Sequence, residues 1–194
     1  MTAIRTPEPR LAVPVSSDDH IIGPDSAGIT LVEYGDFECS YCARAAPVVR
    51  ELRRLFGDDV RFVFRNMPLT ELHPHAQRAA EAAEAAALQG RFWEMHDLLF
   101  EHRTDLSDAA LLRYAAQAGA NAGAVGDALR LGTARTKVER DVEGGVRSGV
   151  TGTPTFFVNG TRYDGSWSLE PFAEYLRARS CRQTPCKPGR SNPR

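Results

Sequence analysis

The chain presents strand-forming and helix-forming segments in an order that few folds accommodate. ITLVEY (29–34) and VRFVFRN (60–66) are short, rich in β-branched and aromatic residues, and typical of buried strands. The segment between them carries apolar residues at helical spacing and stops at Gly57. From 75 to about 148 strand signals are absent, and the Ala-rich sequence predicts a block of about four or five helices.

Strand character returns near the C-terminal end. TFFV and TRY flank Asn159 and Gly160, a dipeptide typical of a tight hairpin turn. LEPFAEYLRAR (169–179) has the amphipathic pattern of a last helix. The predicted fold class is therefore α/β, with a βαβ unit and a ββα unit separated by an all-helical insertion.

This order predicts how the chain is divided. The segments are an N-terminal arm (1–28), a first α/β part (29–66), a helical insertion (67–148), a second α/β part (149–180) and a tail (181–194). The arm should be extended because three prolines precede Asp18. The tail should be disordered because it is rich in proline and basic residues and has no acidic residue.

Composition excludes several classes of function. With 194 residues, 42% of them hydrophobic, the chain should form one ordinary globular domain, and a formal net charge of −1 argues against a nucleic-acid partner. No run of 18 apolar residues is present, so no membrane span is predicted. The N-terminal residues lack the apolar run of a secretory signal, and if Met1 is the native start we expect a cytoplasmic protein.

Cys39 and Cys42 are the strongest candidates for chemistry. They follow a strand and precede a helix-forming run, so Cys39 should lie at a helix N-terminus, where unpaired N–H groups stabilise a thiolate. Cys42, one turn further on, is close enough to form a disulfide with it. The pattern predicts an exposed attacking sulfur and a buried resolving one. A CxxC pair in a βαβ context is typical of a thioredoxin-like redox motif, although the pair alone is as often half of a zinc site.

Four other residues join this prediction, and for two of them, Pro154 and Glu33, alternatives stay open. Pro154 precedes an apolar strand, which suits a cis peptide bond that turns the Thr153 backbone toward a bound peptide, or simply a proline at a strand start. Glu33, six residues before Cys39, is either a buried proton acceptor for Cys42 or a glutamate that reaches solvent. Tyr41, between the cysteines, is an expected substrate contact.

Three separated motifs resemble those of the DsbA-like thiol:disulfide oxidoreductases, which have a thioredoxin fold with an inserted helical domain. The motifs are LVEYGDFECSYC, VFRNMPL with HPHAQRAAEAAEAAALQGRFWEMHDLLF, and GVTGTPTFFVNGTRYDG, and the resemblance covers about 16–179. It implies that Cys39 is the nucleophile, Cys42 the resolving cysteine, Pro154 a cis proline and Glu33 the buried acid. The chain departs from the family's periplasmic oxidants in two ways: the N-terminal residues given lack the apolar run of a secretory signal, and no histidine lies between the cysteines.

The alternative is a non-catalytic binding module held by zinc. Cys181 and Cys186 could complete a site of four cysteines with Cys39 and Cys42, although a gap of four residues is wider than in most zinc knuckles. His73 and His75 lack the spacing of a helical zinc site. The sequence therefore favours a thiol:disulfide oxidoreductase without metal or cofactor, acting on protein or peptide thiols and disulfides and served by a redox partner that the sequence does not identify.

Overall fold

The computed structural model describes residues 9–180, which form one mixed sheet with helices on both faces. The five strands of this part are β1 (His20–Ile22), β2 (Ile29–Gly35), β3 (Val60–Asn66), β4 (Thr155–Val158) and β5 (Thr161–Tyr163). The helices are α1 (Ser40–Phe56), α2 (Ala76–Ala87), α3 (Phe92–Glu101), α4 (Asp108–Gln117), α5 (Ala122–Leu131), α6 (Arg135–Arg147) and α7 (Leu169–Ser180). A short 3₁₀ turn, Gly57–Asp59, joins α1 to β3.

The sheet has the strand order β1-β3-β2-β4-β5, so β2 lies at its centre. β2 runs parallel to β3 and antiparallel to β4, and the register places Glu33 between Phe64 and Phe156. A strand between two partners and covered on both faces is apolar along its whole length, which explains why ITLVEYG shows no alternation. The carboxyl end of β2 leads directly to Cys39.

The predicted α/β fold class is confirmed. The two seven-residue strands, the helix between them and the last helix lie where the sequence pattern places them. Asn159 and Gly160 both have positive φ angles, 50° and 78°, as a tight hairpin turn requires. Five helices, α2 to α6, lie between β3 and β4.

The N-terminal arm contains a strand that the sequence analysis did not predict. β1 pairs antiparallel with β3 over only three residues, too few for a periodic pattern to show. Further upstream, Arg10 pairs with Thr161 in an isolated bridge, and the Leu11 N–H donates to the Gly160 carbonyl. The described part of the arm is thus bonded to both edges of the sheet.

Helix α6 lies close against the sheet because it carries small residues there. A Cβ at Gly145 would lie 2.9 Å from Met67 Sδ and 3.1 Å from the Tyr34 ring. On this face a small cluster around Val32, Tyr34 and Phe157 is buried. The opposite face packs against α1, α7 and the other inserted helices in a larger core.

Helix α3 brings most of its large side chains into that larger core. Phe92, Met95, Leu99 and Phe100 are buried. The rings of Phe92 and Phe100, together with those of Phe37 and Phe64, pack around the ring of His96. No helix within 9–180 combines the length and apolar character needed to cross a membrane.

Candidate active site

The two cysteines lie where the central strand gives way to α1. Cys39 is the residue immediately before the first helical turn, with φ −68° and ψ 123°, and the Ala43 N–H donates to its carbonyl. Cys42 lies inside that turn and is fully buried. Both are free thiols.

The structure corrects one part of the sequence interpretation, because Cys39 is not an exposed sulfur. The residue is only 4% exposed, since the segment before β4 covers it. The Sγ of Cys39 lies 3.5 Å from the carbonyl oxygen of Thr153, to which the thiol form of Cys39 can donate. The Thr153 carbonyl therefore lies directly beside the Cys39 sulfur.

The surroundings of Cys39 favour its thiolate. They lower the pKa of Cys39 to about 5, and the largest cause is the Cys42 thiol acting as a hydrogen-bond donor. Burial acts in the opposite direction, while the backbone N–H groups of Cys42 and Tyr41 and the side chain of Thr153 lower the pKa further. The amides are those of the first turn of α1, as expected for a thiol at a helix start.

Cys42 has the opposite character. Burial, the neighbouring Cys39 and the charge of Glu33 raise its pKa well above the usual range. The Asp36 N–H, 3.5 Å from Cys42 Sγ, is the only opposing group among the causes of the shift. The pair therefore consists of one acidic sulfur and one that stays protonated.

Glu33 is buried in the central strand, 2% exposed, and its Oε1 has no hydrogen-bond partner in the described part of the chain. Burial raises the pKa of Glu33 to about 8, and the nearby charge of Cys39 adds to the effect. At neutral pH this carboxyl is mostly protonated. Of the two alternatives for Glu33, a buried side chain and one that reaches solvent, the structure shows the buried side chain.

The segment opposite the cysteines contains a cis peptide bond between Thr153 and Pro154. β4 begins at the next residue, Thr155, whose hydroxyl donates to the Gly152 carbonyl over 2.7 Å. The carbonyl oxygen of Thr153, two residues before β4 begins, lies beside the Cys39 sulfur. The arrangement brings the sequence-predicted residues Cys39, Cys42, Thr153 and Pro154 to one end of the sheet.

Tyr41 lies at the surface, and 56% of the residue is exposed. The guanidinium of Arg44 lies 4.6 Å from the centre of the Tyr41 ring and 5.8 Å from that of Trp167. These three side chains form a partly apolar rim next to the cysteines. Tyr41 is therefore accessible to a bound molecule.

Asp36 is a central residue of the site that the sequence analysis passed over. Its backbone contacts both cysteines: its carbonyl accepts from the Cys39 N–H at 3.2 Å, and its N–H faces Cys42 Sγ. Its buried carboxylate accepts from the Glu38 and Leu69 N–H groups and contacts His73 Nδ1 at 2.8 Å. The signal available in the sequence is an aspartate at a strand end.

His73 belongs to the helical insertion and yet lies at the cysteine segment. Burial lowers the pKa of His73, but the hydrogen bond and charge of Asp36 outweigh it, and the net pKa is raised. A second hydrogen bond joins the same two segments, since the His75 N–H donates to Glu38 Oε2 at 2.7 Å. The HPH segment thus holds the loop that carries Cys39.

No group of three or more His, Cys, Asp or Glu side chains within 9–180 is arranged to hold a metal ion. Cys181 and Cys186 lie outside the described residues, so the site of four cysteines stays a prediction.

A thioredoxin-type sheet with a CxxC pair at the start of its first helix and a cis proline opposite defines a class, the thioredoxin-like proteins. A family model described as thioredoxin matches residues 16–178. The chain belongs to the thioredoxin family.

Solved structures support the same fold. BdbD from Bacillus subtilis in its oxidised form superposes with a TM-score of 0.79 at 22% identity, covering 89% of this chain and 97% of that one. A thioredoxin-like oxidoreductase from Silicibacter pomeroyi gives a TM-score of 0.75 at 24% identity, covering 87% and 95%. The thioredoxin-like fold with inserted helices, implied by the resemblance to DsbA-like proteins, is confirmed.

Among curated proteins, the chain is 51% identical over 161 residues to a protein of Salinispora arenicola named Na(+)/H(+) antiporter NhaA 1. That match covers 82% of this chain and 24% of the relative. The chain therefore spans about a quarter of the length of such relatives, and at this identity they share its fold over the matched part.

Proposed function

We propose that the protein is a thiol:disulfide oxidoreductase that exchanges disulfides with protein or peptide substrates through Cys39 and Cys42. The observation that supports this most directly is the contrast between the two sulfurs, with the pKa of Cys39 held near 5 and that of Cys42 raised. Such a pair provides a nucleophile that is ionised at neutral pH and a resolving thiol that stays unreactive until it is needed. Membership of the thioredoxin family supports the same chemistry.

In the reducing direction the Cys39 thiolate attacks one sulfur of a substrate disulfide and releases the other as a thiolate. Cys42 then loses its proton to Glu33 in its ionised form and attacks Cys39, which forms the Cys39–Cys42 disulfide and releases the second substrate sulfur. Two electrons pass from the pair to the substrate. The oxidising direction is the reverse, and it begins with a substrate thiolate attacking Cys39 in the disulfide.

The substrate should bind in extended form beside Thr153. This proposal rests on the position of the Thr153 carbonyl oxygen, 3.5 Å from the Cys39 sulfur and just before β4. A peptide backbone pairing with Thr153 would place its own cysteine at Cys39. Tyr41, exposed and stacked with Arg44, would contact its side chains.

Trapping experiments test the roles of the two cysteines. With a disulfide-linked reporter peptide, Cys39→Ser should abolish exchange, and Cys42→Ser should accumulate a mixed disulfide between Cys39 and the peptide. Ser107→Ala, which removes the N-cap of α4 far from the site, is the matched control and should keep the wild-type rate. Equal loss in both cysteine variants with no trapped adduct would contradict the assigned roles.

Metal analysis tests the rival class, a zinc-stabilised binding module. The purified full chain is dialysed against a chelator and its zinc content measured. The proposed enzyme should lose all zinc and keep its exchange activity. Stoichiometric zinc that survives, together with absence of exchange, would establish the rival.

A second candidate role concerns a membrane partner. The curated relatives are named as Na(+)/H(+) antiporters, and this chain matches 24% of the length of the first of them. We propose that the exchange activity acts on cysteines of a transporter of that class. Proton exchange by antiporter-containing vesicles, measured with added wild-type protein and with Cys39→Ser, should change only with the wild type. Equal rates in both mixtures would refute this role.

A further inference from the structure

A cavity of about 50 Å³ lies behind the cysteines, between the sheet and the helical insertion. A water molecule needs roughly 10 to 15 Å³ measured in this way, so the cavity has room for water. Its lining comes from β1, β2, β3, α1 and α3, and it includes Glu33, His96, Asp97, Arg50 and Arg53. The cavity therefore runs from the buried carboxyl of the site toward charged residues.

Two of the lining residues have buried polar atoms without a hydrogen-bond partner in the described part of the chain, Glu33 Oε1 and His96 Nε2. Both side chains are almost fully buried, His96 being 6% exposed. Unpartnered buried polar atoms are rare in native proteins because each costs desolvation free energy. Two of them on one cavity point to water shared between them.

The contact with Asp97 fixes which nitrogen of His96 carries the proton. Its Nδ1 lies 2.9 Å from Asp97 Oδ1, and an ionised carboxylate only accepts, so Nδ1 carries the proton. Nε2 is then an acceptor with a free lone pair. The rings of Phe64 and Phe100, at 4.8 Å and 4.9 Å between ring centres, keep the imidazole in place.

We propose that water in this cavity joins the Glu33 carboxyl to His96 Nε2, and that His96 is a positioning residue that relays the Glu33 proton during thiol–disulfide exchange. The inference rests on the proposed function and deepens it. Glu33 interacts with both cysteines through its charge, whereas His96 acts only through Glu33. No motif in the sequence marks His96, which α3 of the insertion brings to the cavity.

The charges around the cavity set the resting protonation states of the two groups. Burial lowers the pKa of His96, Asp97 opposes the shift, and Arg50 and His20 add to it, so His96 is neutral at neutral pH and its Nε2 is free to accept. Glu33, with its pKa raised to about 8, holds its proton more tightly than protonated His96 would, so protonated His96 is a short-lived carrier that passes the proton on to solvent. Burial also lowers the pKa of Arg53, a second cation at the lining, with Asp97 opposing.

The outer end of the cavity is open to exchange with solvent. Asp97 and Arg50 form an ion pair at 3.6 Å, and both side chains are largely exposed. A proton that reaches His96 can therefore leave by way of Asp97 and solvent.

The relay balances in each half of the reaction. Before resolution, Glu33 passes its proton through the water to His96 Nε2 and on to solvent, leaving a carboxylate. That carboxylate accepts the Cys42 proton, the Cys42 thiolate forms a bond to Cys39, and the substrate sulfur leaves with the electron pair of the broken bond. In reverse, Glu33 protonates the departing Cys42 thiolate and regains a proton from solvent through His96.

His96→Phe tests the relay, because phenylalanine fits an aromatic cluster and has no nitrogen. Resolution of a mixed disulfide between Cys39 and a reporter peptide is followed against pH in single turnovers. We expect resolution at pH 7 to be slower by about tenfold to a hundredfold, with recovery as the pH rises and hydroxide replaces the relay. The pH dependence of Cys39 alkylation should not change.

His102→Phe is the matched control, since His102 follows the same helix and stacks on Tyr114 at 4.9 Å, outside the cavity lining. It should keep the wild-type pH profile. In a Glu33→Gln background, His96→Phe should have no further effect because the two residues act in one path. Additive losses, or a wild-type profile in His96→Phe, would overturn the relay.

A measurement on the wild type covers the case in which the variant does not fold. Nitrogen-15 NMR of the histidine side chains should show His96 with a proton on Nδ1 and none on Nε2 at neutral pH. A protonated Nε2 would overturn the proposal. Failure of the proposed function itself looks different, because the wild-type protein would then form no mixed disulfide at all.

Discussion

Removing the Cys42 thiol should raise the pKa of Cys39, because that thiol is the largest cause of its low value. Cys42→Ala removes the donor, whereas Cys42→Ser keeps an O–H group at the same place. We expect the pKa of Cys39 to rise in Cys42→Ala and to stay closer to the wild-type value in Cys42→Ser. The serine variant is the matched control, since both substitutions remove the resolving sulfur.

The gain in reactivity that a low pKa gives to Cys39, relative to an ordinary thiol, depends on the pH at which the rates are measured. A thiol with its pKa lowered from 9.0 to about 5 is about 99% ionised at pH 7, against about 1% for the ordinary thiol. Its thiolate is also less nucleophilic, by a factor of about 60 for a Brønsted coefficient of about 0.45. The two effects nearly cancel at pH 7 and leave a net gain of about twofold. At pH 5 the same arithmetic gives a gain of about 80-fold.

The assay is therefore alkylation of the reduced full-length chain over a range from about pH 4 to pH 9, with the modified cysteine located by mass spectrometry. Burial of Cys39 slows the reaction equally at every pH, so the shape of the curve carries the information. The wild type should reach half its maximal rate near pH 5. A midpoint equal to that of the chain unfolded in urea would refute the reasoning. Equal midpoints in wild type and Cys42→Ala would refute the role of the Cys42 thiol.

Three further predictions concern stability. The pKa of Glu33 is raised to about 8, so the free energy of unfolding of the wild type falls as pH rises from about 4.5 to 8. Relative to the wild type, Glu33→Gln should become more stable over this range, by up to about 5 kcal/mol at pH 8. Urea unfolding at two pH values measures this difference, and a difference that does not change with pH would contradict the prediction. The hydrogen-bonded carboxylate of Asp36 raises the pKa of His73, so the charged imidazole stabilises the fold below about pH 6.5 and loses this contribution by pH 8. His73→Gln should therefore cost more stability below about pH 6.5 than at pH 8. Urea unfolding measures both costs, and a larger cost at pH 8 would be evidence against the prediction. A Cβ at Gly35 would lie 2.4 Å from Phe64 Cε2, so Gly35→Ala should lower the free energy of unfolding by about 1 to 3 kcal/mol. A Cβ at Gly126 on α5 would meet only ordinary contacts, so Gly126→Ala should raise the free energy of unfolding by about 0.5 to 1 kcal/mol. Thermal unfolding that ranks the two variants the other way would show that the close contact at Gly35 is relieved.

Local pattern was sufficient to predict the centre of the fold. β2 and β3 are each seven residues long and buried on nearly every position, so their apolar runs stand out from the helical block. The Asn159–Gly160 turn has a specific backbone requirement that few residue pairs meet. Cys39 could be placed at a helix start for a similar reason, since the strand end and the helix-forming run on either side are both local signals.

Residues that act through distant contacts gave no such signal. Asp36 and His73 are 37 positions apart, and nothing in either segment indicates that they meet. β1 is only three residues long and owes its existence to pairing with β3. The cover over Cys39 was missed for the same reason, because Thr153 lies 114 positions away. The sequence pattern of a segment indicates its own secondary structure, but it does not indicate which residues from distant parts of the chain pack against it.

The helical insertion is part of the active site and not only an addition to it. His73 and His75, at its beginning, bond the two acidic residues that flank Phe37 in the cysteine loop. Phe37 itself packs against Phe100 of α3 at 5.0 Å. The loop that sets the position of Cys39 is thus held by the insertion on one side and by β2 on the other. Since the pKa of Cys39 depends on where its sulfur lies relative to the first amides of α1, substitutions at His73 or Phe100 should change the redox chemistry without touching either cysteine.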